Sequence, residues 1–362
     1  MYNCIPKLFF IAIFFTLMGY PQNVSAQQTI INNKPKNIIL LIGDGMGLSQ
    51  ISAGFYFNEN PSNFERFSVI GLIKTSASDD VVTDSASSAT AYASGVKTYN
   101  GAIGVTQDTL TIETIAEYVS KKNVATGIIA TSSITHATPA CFYSHVKSRG
   151  MYEEIAEFLP SSGIDFFAGG GLQFFNKRKD KKDLVEELKK QGFEVTTGSL
   201  PQSLTKDKQA ILLANNSMPT ILEGRGDFLP NVTKMAIESL SENPNGFFLM
   251  VEGSQIDWGG HDNDAAYLIA EQLDFEKTIG VALDFAKKNG ETLVLVTADH
   301  ETGGFTLATD NGDYSKIKPT FSTTGHSATL IPLFAEGPGR ELFGGVYENT
   351  EVYHKIKALF SR

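Results

Sequence analysis

Short apolar runs rich in β-branched residues recur along this chain, with helical patterns between them. Continuous apolar runs of this kind are typical of strands that are buried on both faces of a parallel sheet. Six runs are predicted as buried parallel strands: 38–42, 68–73, 124–130, 247–251, 292–296 and 330–334. Helical periodicity covers 111–121, 153–158, 182–191 and 265–288. The alternation predicts an α/β fold, a three-layer sandwich with a central, mostly parallel sheet flanked by helices.

The first residues have the features of a secretory signal peptide. Lys7 precedes an apolar run at 8–18 that is too short to span a bilayer comfortably, and small residues at 24–26 fit a cleavage site. A buried N-terminal helix is the alternative interpretation. We expect cleavage of residues 1–26, export to the periplasm or the extracellular space, no stable membrane anchor, and a single domain over 27–362.

Charge and cysteine content narrow the possible functions. The formal net charge is −10, so bulk electrostatics do not favour a nucleic-acid-binding surface. An anionic ligand would need local positive charge, from metal ions or from a well-placed arginine. Cys4 is lost with the signal peptide and leaves Cys141 alone, which excludes the small secreted domains that disulfides stabilise.

Ionisable and hydroxyl side chains cluster where four of the predicted strands end. Ligands bind at the carboxyl ends of strands in open α/β sheets. The candidate residues at these ends are Asp44, His136, Thr138, Glu252, Asp257, His261, Asp299 and His300, with His326 as a further candidate ligand. So many carboxylates repel one another unless cations lie between them. Imidazole with carboxylate suits zinc, whereas carboxylate with hydroxyl suits magnesium.

Ser85 and Arg149 complete the candidate chemistry. Small residues follow Ser85 up to Gly95 and predict a helix with Ser85 at its N-terminus, where free N–H groups favour an anion. A plain helix-capping serine is the alternative. A serine without a histidine base would need a metal to activate it. Arg149 could turn back to this edge of the sheet and hold two phosphate oxygens.

Taken together, these segments resemble the alkaline phosphatases. They occur in the order found in that family and extend over nearly the whole chain after residue 26. The matching segments are 42–47, 83–91 with its continuation to 101, 137–139 with Arg149, 251–253 with Asp257 and His261, 296–300, and His326. The segment that begins at Asp84-Ser85-Ala86 is the most specific single match.

The resemblance implies hydrolysis of phosphate monoesters through a phosphoserine at Ser85, with Arg149 holding the phosphate. It also implies two Zn²⁺ ions and one Mg²⁺ ion. The implied ligands of the first zinc are Asp257, His261 and His326. Those of the second zinc are Asp44, Asp299 and His300. The implied magnesium ligands are Asp44, Thr138 and Glu252, with Asp44 shared between two sites.

Two positions depart from the best-known bacterial pattern of that family. His136 stands where the pattern has an aspartate beside the magnesium, and Trp258 stands where it has a lysine near the phosphate. An imidazole at His136 makes zinc the alternative at the third site. The chain is short for the family, so we expect only a short crown-type insert between 301 and 325. A homodimer is the assembly that we expect.

Three other functions share parts of this pattern. A phosphodiesterase of the same superfamily would share the metal ligands, but a diester has fewer anionic oxygens for Arg149 to hold. A sulfatase would need a residue that is converted to an aldehyde within a different motif. A non-catalytic metal-binding or phosphate-binding protein would not need Ser85.

Overall fold

The computed structural model of the chain describes residues 34–361. Its strands, numbered in chain order, are β1 (Asn37–Gly43), β2 (Val69–Lys74), β3 (Ala125–Ser133), β4 (Phe166–Gly170), β5 (Glu194–Thr197), β6 (Gln209–Leu212), β7 (Phe247–Gly253), β8 (Thr292–Thr297), β9 (Glu301–Thr302), β10 (Thr306–Asp310), β11 (Asp313–Thr320), β12 (His326–Ser327), β13 (Ile331–Glu336) and β14 (Gly345–Glu348). The predicted signal peptide lies outside the described residues.

The helices of the described region are α1 (Leu48–Phe57), α2 (Ser85–Ser94), α3 (Ile115–Ser120), α4 (Ala137–Ala140), α5 (Tyr152–Ala156), α6 (Gln173–Asn176), α7 (Leu184–Lys190), α8 (Phe228–Leu240), α9 (Gln255–His261), α10 (Ala265–Asn289) and α11 (Thr350–Phe360). Three short 3₁₀ segments occur at Asn63–Arg66, Leu159–Ser161 and Arg340–Phe343. No described helix is long and apolar enough to cross a membrane.

Ten strands form one large sheet in the order β14-β2-β13-β8-β1-β7-β3-β4-β6-β5. The central strands β8, β1, β7 and β3 pair in parallel, and every residue of these strands is buried. Burial on both faces explains their continuous apolar sequences. The prediction of a mostly parallel α/β fold is therefore confirmed.

Two predicted strands differ from the prediction in direction and burial. β13 runs antiparallel to both of its neighbours, β2 and β8. β2 is only half buried, with Ile70 56% exposed, because it lies next to the edge strand β14. β13 is buried, as predicted, but its predicted direction is wrong. The predicted full burial of β2 is wrong, and β2 is parallel only to β14. An apolar run contains no information on the direction of a strand.

Helix ends follow the local sequence. The long predicted helix is α10, which begins after Asp264, whose side chain accepts the N–H groups of Ala266 and Tyr267, and ends at Gly290 with a φ of 70°. Such N-capping carboxylates and left-handed glycines are common helix boundaries. The predicted helices at 111–121, 153–158 and 182–191 are shorter than expected, as α3, α5 and α7.

The segment 301–325 contains an exposed hairpin. β10 and β11 pair in antiparallel, and most of β11 is exposed to solvent. The two-residue strands β9 and β12 pair separately and place His326 opposite Thr302. The interpretation of this segment as a crown-type insert stays a prediction, as does a single domain that starts at residue 27.

Candidate active site

The candidate residues meet at one edge of the sheet because β8, β1, β7 and β3 are neighbours. Asp44 follows β1, Glu252 lies at the end of β7, and Asp299 follows β8. Parallel strands bring their carboxyl ends to the same edge. Thr138 lies on α4 shortly after β3, and α9, which follows β7, carries Asp257 and His261. The described residues contain three groups with the spacing of metal ligands, and each lies at this edge.

The first group consists of Asp257, His261 and His326. Nε2 of His261 lies 3.4 Å from Oδ1 of Asp257, and Nε2 of His326 lies 3.6 Å from the same oxygen. The two Nε2 atoms are 3.1 Å apart. Asp257 is 5% exposed, whereas the side chain of His261 is 39% exposed, so this group opens to solvent on one side.

The hydrogen bonds of the two histidines favour a cation at this group. Nδ1 of His261 lies 2.6 Å from the Thr324 carbonyl, and Nδ1 of His326 lies 2.9 Å from the Thr83 carbonyl. A carbonyl oxygen only accepts, so both Nδ1 atoms carry the hydrogen. In the neutral rings, two Nε2 lone pairs then face each other and a carboxylate. A metal ion satisfies such an arrangement.

The second group consists of Asp44, Asp299 and His300, all wholly buried. Nε2 of His300 lies 3.2 Å from Oδ2 of Asp299 and 3.5 Å from Oδ1 of Asp44. It also lies 3.2 Å from Oγ of Ser85. Both oxygens of Asp44 and Oδ2 of Asp299 have no hydrogen-bond partner among the described residues. Buried carboxylate oxygens are almost always satisfied, so these orphaned atoms fit a bound cation.

The third group consists of Asp44, His136 and Glu252. Oε2 of Glu252 accepts a hydrogen bond of 2.6 Å from the Ser254 hydroxyl. Oε1 of Glu252, Oγ1 of Thr138 and Nδ1 of His136 are buried and have no partner among the described residues. The spacing within this group makes His136 a candidate ligand. The sequence predicted His136 only as a neighbour of the magnesium site. Trp258 on α9 is half buried and packs edge-on against the His136 ring, with the two ring centroids 5.9 Å apart.

Burial of so many carboxyl groups shifts their protonation. Burial, assisted by the neighbouring Asp299 and Asp257, raises the pKa of Asp44 well above its usual value. Burial also raises the pKa of Glu252 to about 7. It lowers the pKa of His300 to about 3, with His326 contributing. The protein alone thus disfavours charge at this site, and a bound divalent cation would reverse the preference of the carboxyl groups.

Ser85 is the first residue of α2 and is 2% exposed. The preceding Asp84 caps this helix, because its side chain accepts the Ser87 N–H at 2.9 Å and its carbonyl accepts the Ser88 N–H at 3.1 Å. Asp84, rather than Ser85, is therefore the capping residue. The Ser85 hydroxyl points to His300 instead. This geometry contradicts the plain capping alternative.

Arg149 turns back to the same edge, as expected. Its guanidinium donates to Oδ2 of Asp84 at 2.9 Å and to Nε2 of His136 at 3.4 Å. Burial opposes the charge of Arg149, but Asp84 outweighs it and the pKa of Arg149 is raised. The arginine side chain stays 29% exposed. A positive group held at the open side of the site beside Ser85 is suited to an anionic substrate.

Two residues beside the site were not identified from the sequence. Asp84 caps α2 and holds Arg149, whereas only Ser85 was considered from the sequence as a capping residue. Thr302 contacts Asp257 and His300. The signal for Thr302 was available, because side chains two residues apart in an extended segment lie on the same face, and Thr302 follows His300 by two positions.

A mostly parallel sheet with helices on both faces carries, at one edge, three groups of ligand-type side chains around a buried serine. This is the architecture of an α/β protein that has a candidate metal centre at the carboxyl ends of its strands.

Comparison with known proteins identifies the family. A sequence model described as "Alkaline phosphatase" matches residues 35–318. The chain is 41% identical to alkaline phosphatase 3 of Bacillus subtilis (strain 168), over 94% of this chain and 93% of that protein. It is 30% identical to the alkaline phosphatase of Escherichia coli (strain K12), over 93% of this chain and 88% of that protein.

Solved structures agree with the sequence comparisons. The structure of alkaline phosphatase from the Antarctic bacterium TAB5 superposes with a TM-score of 0.89 at 54% identity, over 91% of this chain and 98% of that chain. The chain therefore belongs to the alkaline phosphatase family. It is a phosphatase, and its family supports the hydrolysis of phosphate monoesters as its reaction.

Proposed function

We propose that this protein hydrolyses phosphate monoesters through a phosphoserine formed at Ser85, in a site that holds two Zn²⁺ ions and one Mg²⁺ ion. One observation carries the proposal. The buried Ser85 hydroxyl lies 3.2 Å from Nε2 of His300, which belongs to a group in which three of the four carboxylate oxygens have no partner among the described residues. A structural role for Ser85 would not explain the carboxylates without partners around it. A bound cation that activates the serine would explain them.

The donor sets support the metal assignment. Two groups combine imidazole with carboxylate, which suits zinc. The first zinc would be held by Asp257, His261 and His326, and the second by Asp44, Asp299 and His300. When bound, these ions would lower the pKa of the Ser85 hydroxyl and stabilise negative charge on the attacking and leaving oxygens.

The third site would be held by Asp44, Thr138 and Glu252. A hydroxyl and two carboxylates suit magnesium. A structure of a TAB5 alkaline phosphatase variant, with one histidine replaced by aspartate, has Mg bound in its M3 site, which supports magnesium for this family. His136 lies beside Asp44 and Glu252, so zinc is the alternative ion here.

Ser85 and the start of α2 would carry the phosphoryl group. In the first step, Oγ of Ser85 forms a bond to phosphorus while the bond from phosphorus to the alcohol oxygen breaks. In the second step, water attacks phosphorus, the bond to Ser85 breaks, and inorganic phosphate leaves. Asp84 accepts hydrogen bonds from the N–H groups of Ser87 and Ser88. The N–H groups of Ser85 and Ala86 are therefore the ones that could bind phosphate oxygens.

Arg149 would hold the equatorial oxygens. Its contacts with Asp84 and His136 fix the plane of the guanidinium at the open side of the site, and a planar fork can bind two oxygens of a monoester. A diester presents fewer anionic oxygens to this group. The arrangement therefore favours a monoesterase over a phosphodiesterase, while Ser85 distinguishes it from a non-catalytic binding protein.

We also infer that the protein is exported and acts as a homodimer. The sequence of residues 1–26 supports export, with action in the periplasm or outside the cell. We expect small-molecule phosphate monoesters as substrates. Ser85, Arg149 and the metal ions would contact the phosphate group rather than the alcohol.

Turnover of p-nitrophenyl phosphate and bis-p-nitrophenyl phosphate by the purified protein tests the proposal. The monoester should be the preferred substrate, and a chelator should abolish its turnover. Ser85→Ala should lower kcat for the monoester by about 10³-fold or more, while the variant still binds zinc. Ser87→Ala, on the same helix but outside the candidate groups, is the matched control and should remain active.

Two results would contradict the proposal. A preference for the diester would indicate a phosphodiesterase. Monoester turnover that survives the loss of Ser85 unchanged would exclude a phosphoserine at this residue.

A further inference from the structure

Thr302 links two of the candidate metal groups through a single hydroxyl. Its Oγ1 donates to Oδ1 of Asp257, the oxygen that faces His261 and His326. The same Oγ1 lies 3.2 Å from Nδ1 of His300, which belongs to the second group. Thr302 is wholly buried, so water does not compete for these contacts.

The number of hydrogens fixes the direction of both contacts. A threonine hydroxyl has one hydrogen, and an ionised carboxylate only accepts. The hydroxyl hydrogen therefore goes to Asp257. A lone pair of Oγ1 remains for His300, so Nδ1 of His300 must carry the hydrogen and donate it to Thr302. In the neutral ring, Nε2 of His300 is then unprotonated.

The unprotonated Nε2 points to where a metal would be bound. It lies 3.2 Å from Oδ2 of Asp299, 3.5 Å from Oδ1 of Asp44 and 3.2 Å from Oγ of Ser85. The opposite tautomer would direct an N–H into this space and could not bind a cation. The partner of the non-ligating ring nitrogen sets which nitrogen is available in metal-binding histidines.

The backbone around Thr302 holds the hydroxyl in place. The Thr302 N–H donates to the Gly45 carbonyl at 3.2 Å, and its carbonyl accepts from Nε2 of Gln50 at 2.9 Å. A Cβ at Gly45 would lie 2.8 Å from Oγ1 of Thr302, and one at Gly260 would lie 3.0 Å from its Cβ. Both glycines thus leave the space that the Thr302 side chain occupies.

We propose that Thr302 is a positioning residue that fixes the His300 tautomer and the Asp257 carboxylate together, and so couples metal binding at the two zinc groups. The proposal rests on the proposed function for the identity of those groups as zinc sites. Thr302 itself does not contact the reacting atoms. Its role is to make both groups ready for zinc before a substrate arrives.

Zinc affinity of the metal-free protein tests the proposal without any substrate. Thr302→Val keeps the shape of the side chain but removes the hydroxyl, whereas Thr302→Ser keeps the hydroxyl. Competition with a chromophoric chelator should show zinc binding weakened about 10- to 100-fold in Thr302→Val, the usual effect of losing such a contact. Thr302→Ser should stay within about threefold of the unchanged protein.

Three outcomes decide the matter. Zinc affinity of a folded Thr302→Val equal to that of the unchanged protein would overturn the proposal. So would a loss in Thr302→Ser as large as in Thr302→Val, because shape rather than the hydroxyl would then be responsible. Weak binding in Thr302→Val with recovery in Thr302→Ser would support it.

A measurement on the unchanged protein applies even if Thr302→Val does not fold. Long-range ¹⁵N–¹H correlation of ¹⁵N-histidine-labelled, metal-free protein reports the tautomer of each ring, with the His300 signals assigned by their loss in His300→Asn. The proposal expects the hydrogen on Nδ1 of His300, and a hydrogen on Nε2 would overturn it. Neither measurement involves turnover. If Ser85→Ala remained active, the phosphoserine mechanism would fail while the Thr302 assignment would still stand.

Discussion

A buried ionic cluster outside the candidate metal groups, formed by Arg225 and two carboxylates, gives a sharp test of how the fold is stabilised. The side chain of Arg225 is wholly buried, and those of its partners Glu271 and Asp274 on α10 are 2% exposed. The guanidinium also donates to the Pro219 carbonyl at 3.1 Å. These contacts fasten the loop before α8 to α10.

Replacement of Arg225 by methionine should destabilise the protein strongly. The substitution leaves two buried carboxyl groups without their cation, and loss of one partner from a buried pair costs about 3–5 kcal/mol. Lys277, which lies on α10 like Glu271 and Asp274, provides a matched control. It pairs with Asp227 at 3.3 Å, both side chains are 63% exposed, and Lys277→Met should cost below about 1 kcal/mol.

The pH dependence of the Arg225→Met variant gives an independent check. Burial raises the pKa of Glu271 and of Asp274, and Arg225 opposes that rise. Without Arg225 both values should increase further. The folded variant would then bind more protons than its unfolded state, so its stability should increase as the pH falls from the folded-state pKa values to the unfolded ones. The deficit should therefore be smaller at about pH 5 than at about pH 8.

Urea denaturation of the metal-free protein, followed by circular dichroism at both pH values, measures these effects. A stability deficit for Arg225→Met that is below about 1 kcal/mol, or that does not change with pH, would show that Arg225 does not neutralise the two buried carboxylates. Glu271→Gln combined with Asp274→Asn in the Arg225→Met background should recover part of the loss, because no buried charge is then left unpaired.

Three further predictions follow from contacts in and around the site. Arg149→Lys should raise the inhibition constant of inorganic phosphate about tenfold, because lysine cannot form two parallel hydrogen bonds; an unchanged constant would contradict the clamp. Burial opposes the charge of His145, but hydrogen bonds with Glu117 and the Gly104 carbonyl raise its pKa. This stabilisation is full below about pH 6.5 and is lost as the pH rises through the folded-state value. Glu117→Gln should therefore lower the melting temperature more at about pH 6 than at about pH 9, and an equal effect would exclude the pair. Gly45→Ala should destabilise the protein by about 1–3 kcal/mol in urea denaturation, since φ is +72° and the new Cβ would lie 2.7 Å from Cα of Asp257; an unaffected variant would show that the segment can move.

The sequence contained enough information for the centre of the sheet and for the site. β1, β7 and β8 are continuous apolar runs, and ligand-type residues stand at their ends. Because parallel strands end at a common edge, the clustering of Asp44, Glu252 and Asp299 followed from strand assignment alone. Ser85 was located by the small residues of the following helix.

Other elements could not be predicted from local patterns. β4 ends in Gly169-Gly170, a pair that is typical of a turn. A glycine is needed there because a Cβ at Gly169 would lie 2.9 Å from the Ala130 carbonyl of β3. α1 buries Gln50 on the side that faces β9, so its apolar pattern is interrupted. The direction of β13 depends on its pairing with β2 and β8, which are distant in sequence.

The pairings that complete the site depend on the tertiary structure. His326 donates to the Thr83 carbonyl, a contact between segments 243 residues apart. Arg149 is held by Asp84, 65 residues away. Neither contact has a periodicity or a motif of its own, and both form only when α2, β12 and the loop before α5 meet at the edge of the sheet.

Rapid acid quench would trap a phosphoryl group on Ser85 during turnover. The protein is mixed with a monoester, quenched during turnover, digested and examined by peptide mass spectrometry. We expect phosphate on the peptide that contains Ser85. This signal should disappear when the substrate is exhausted and should be absent from Ser85→Ala. Full turnover with no phosphate on Ser85, or with phosphate on another residue, would contradict it.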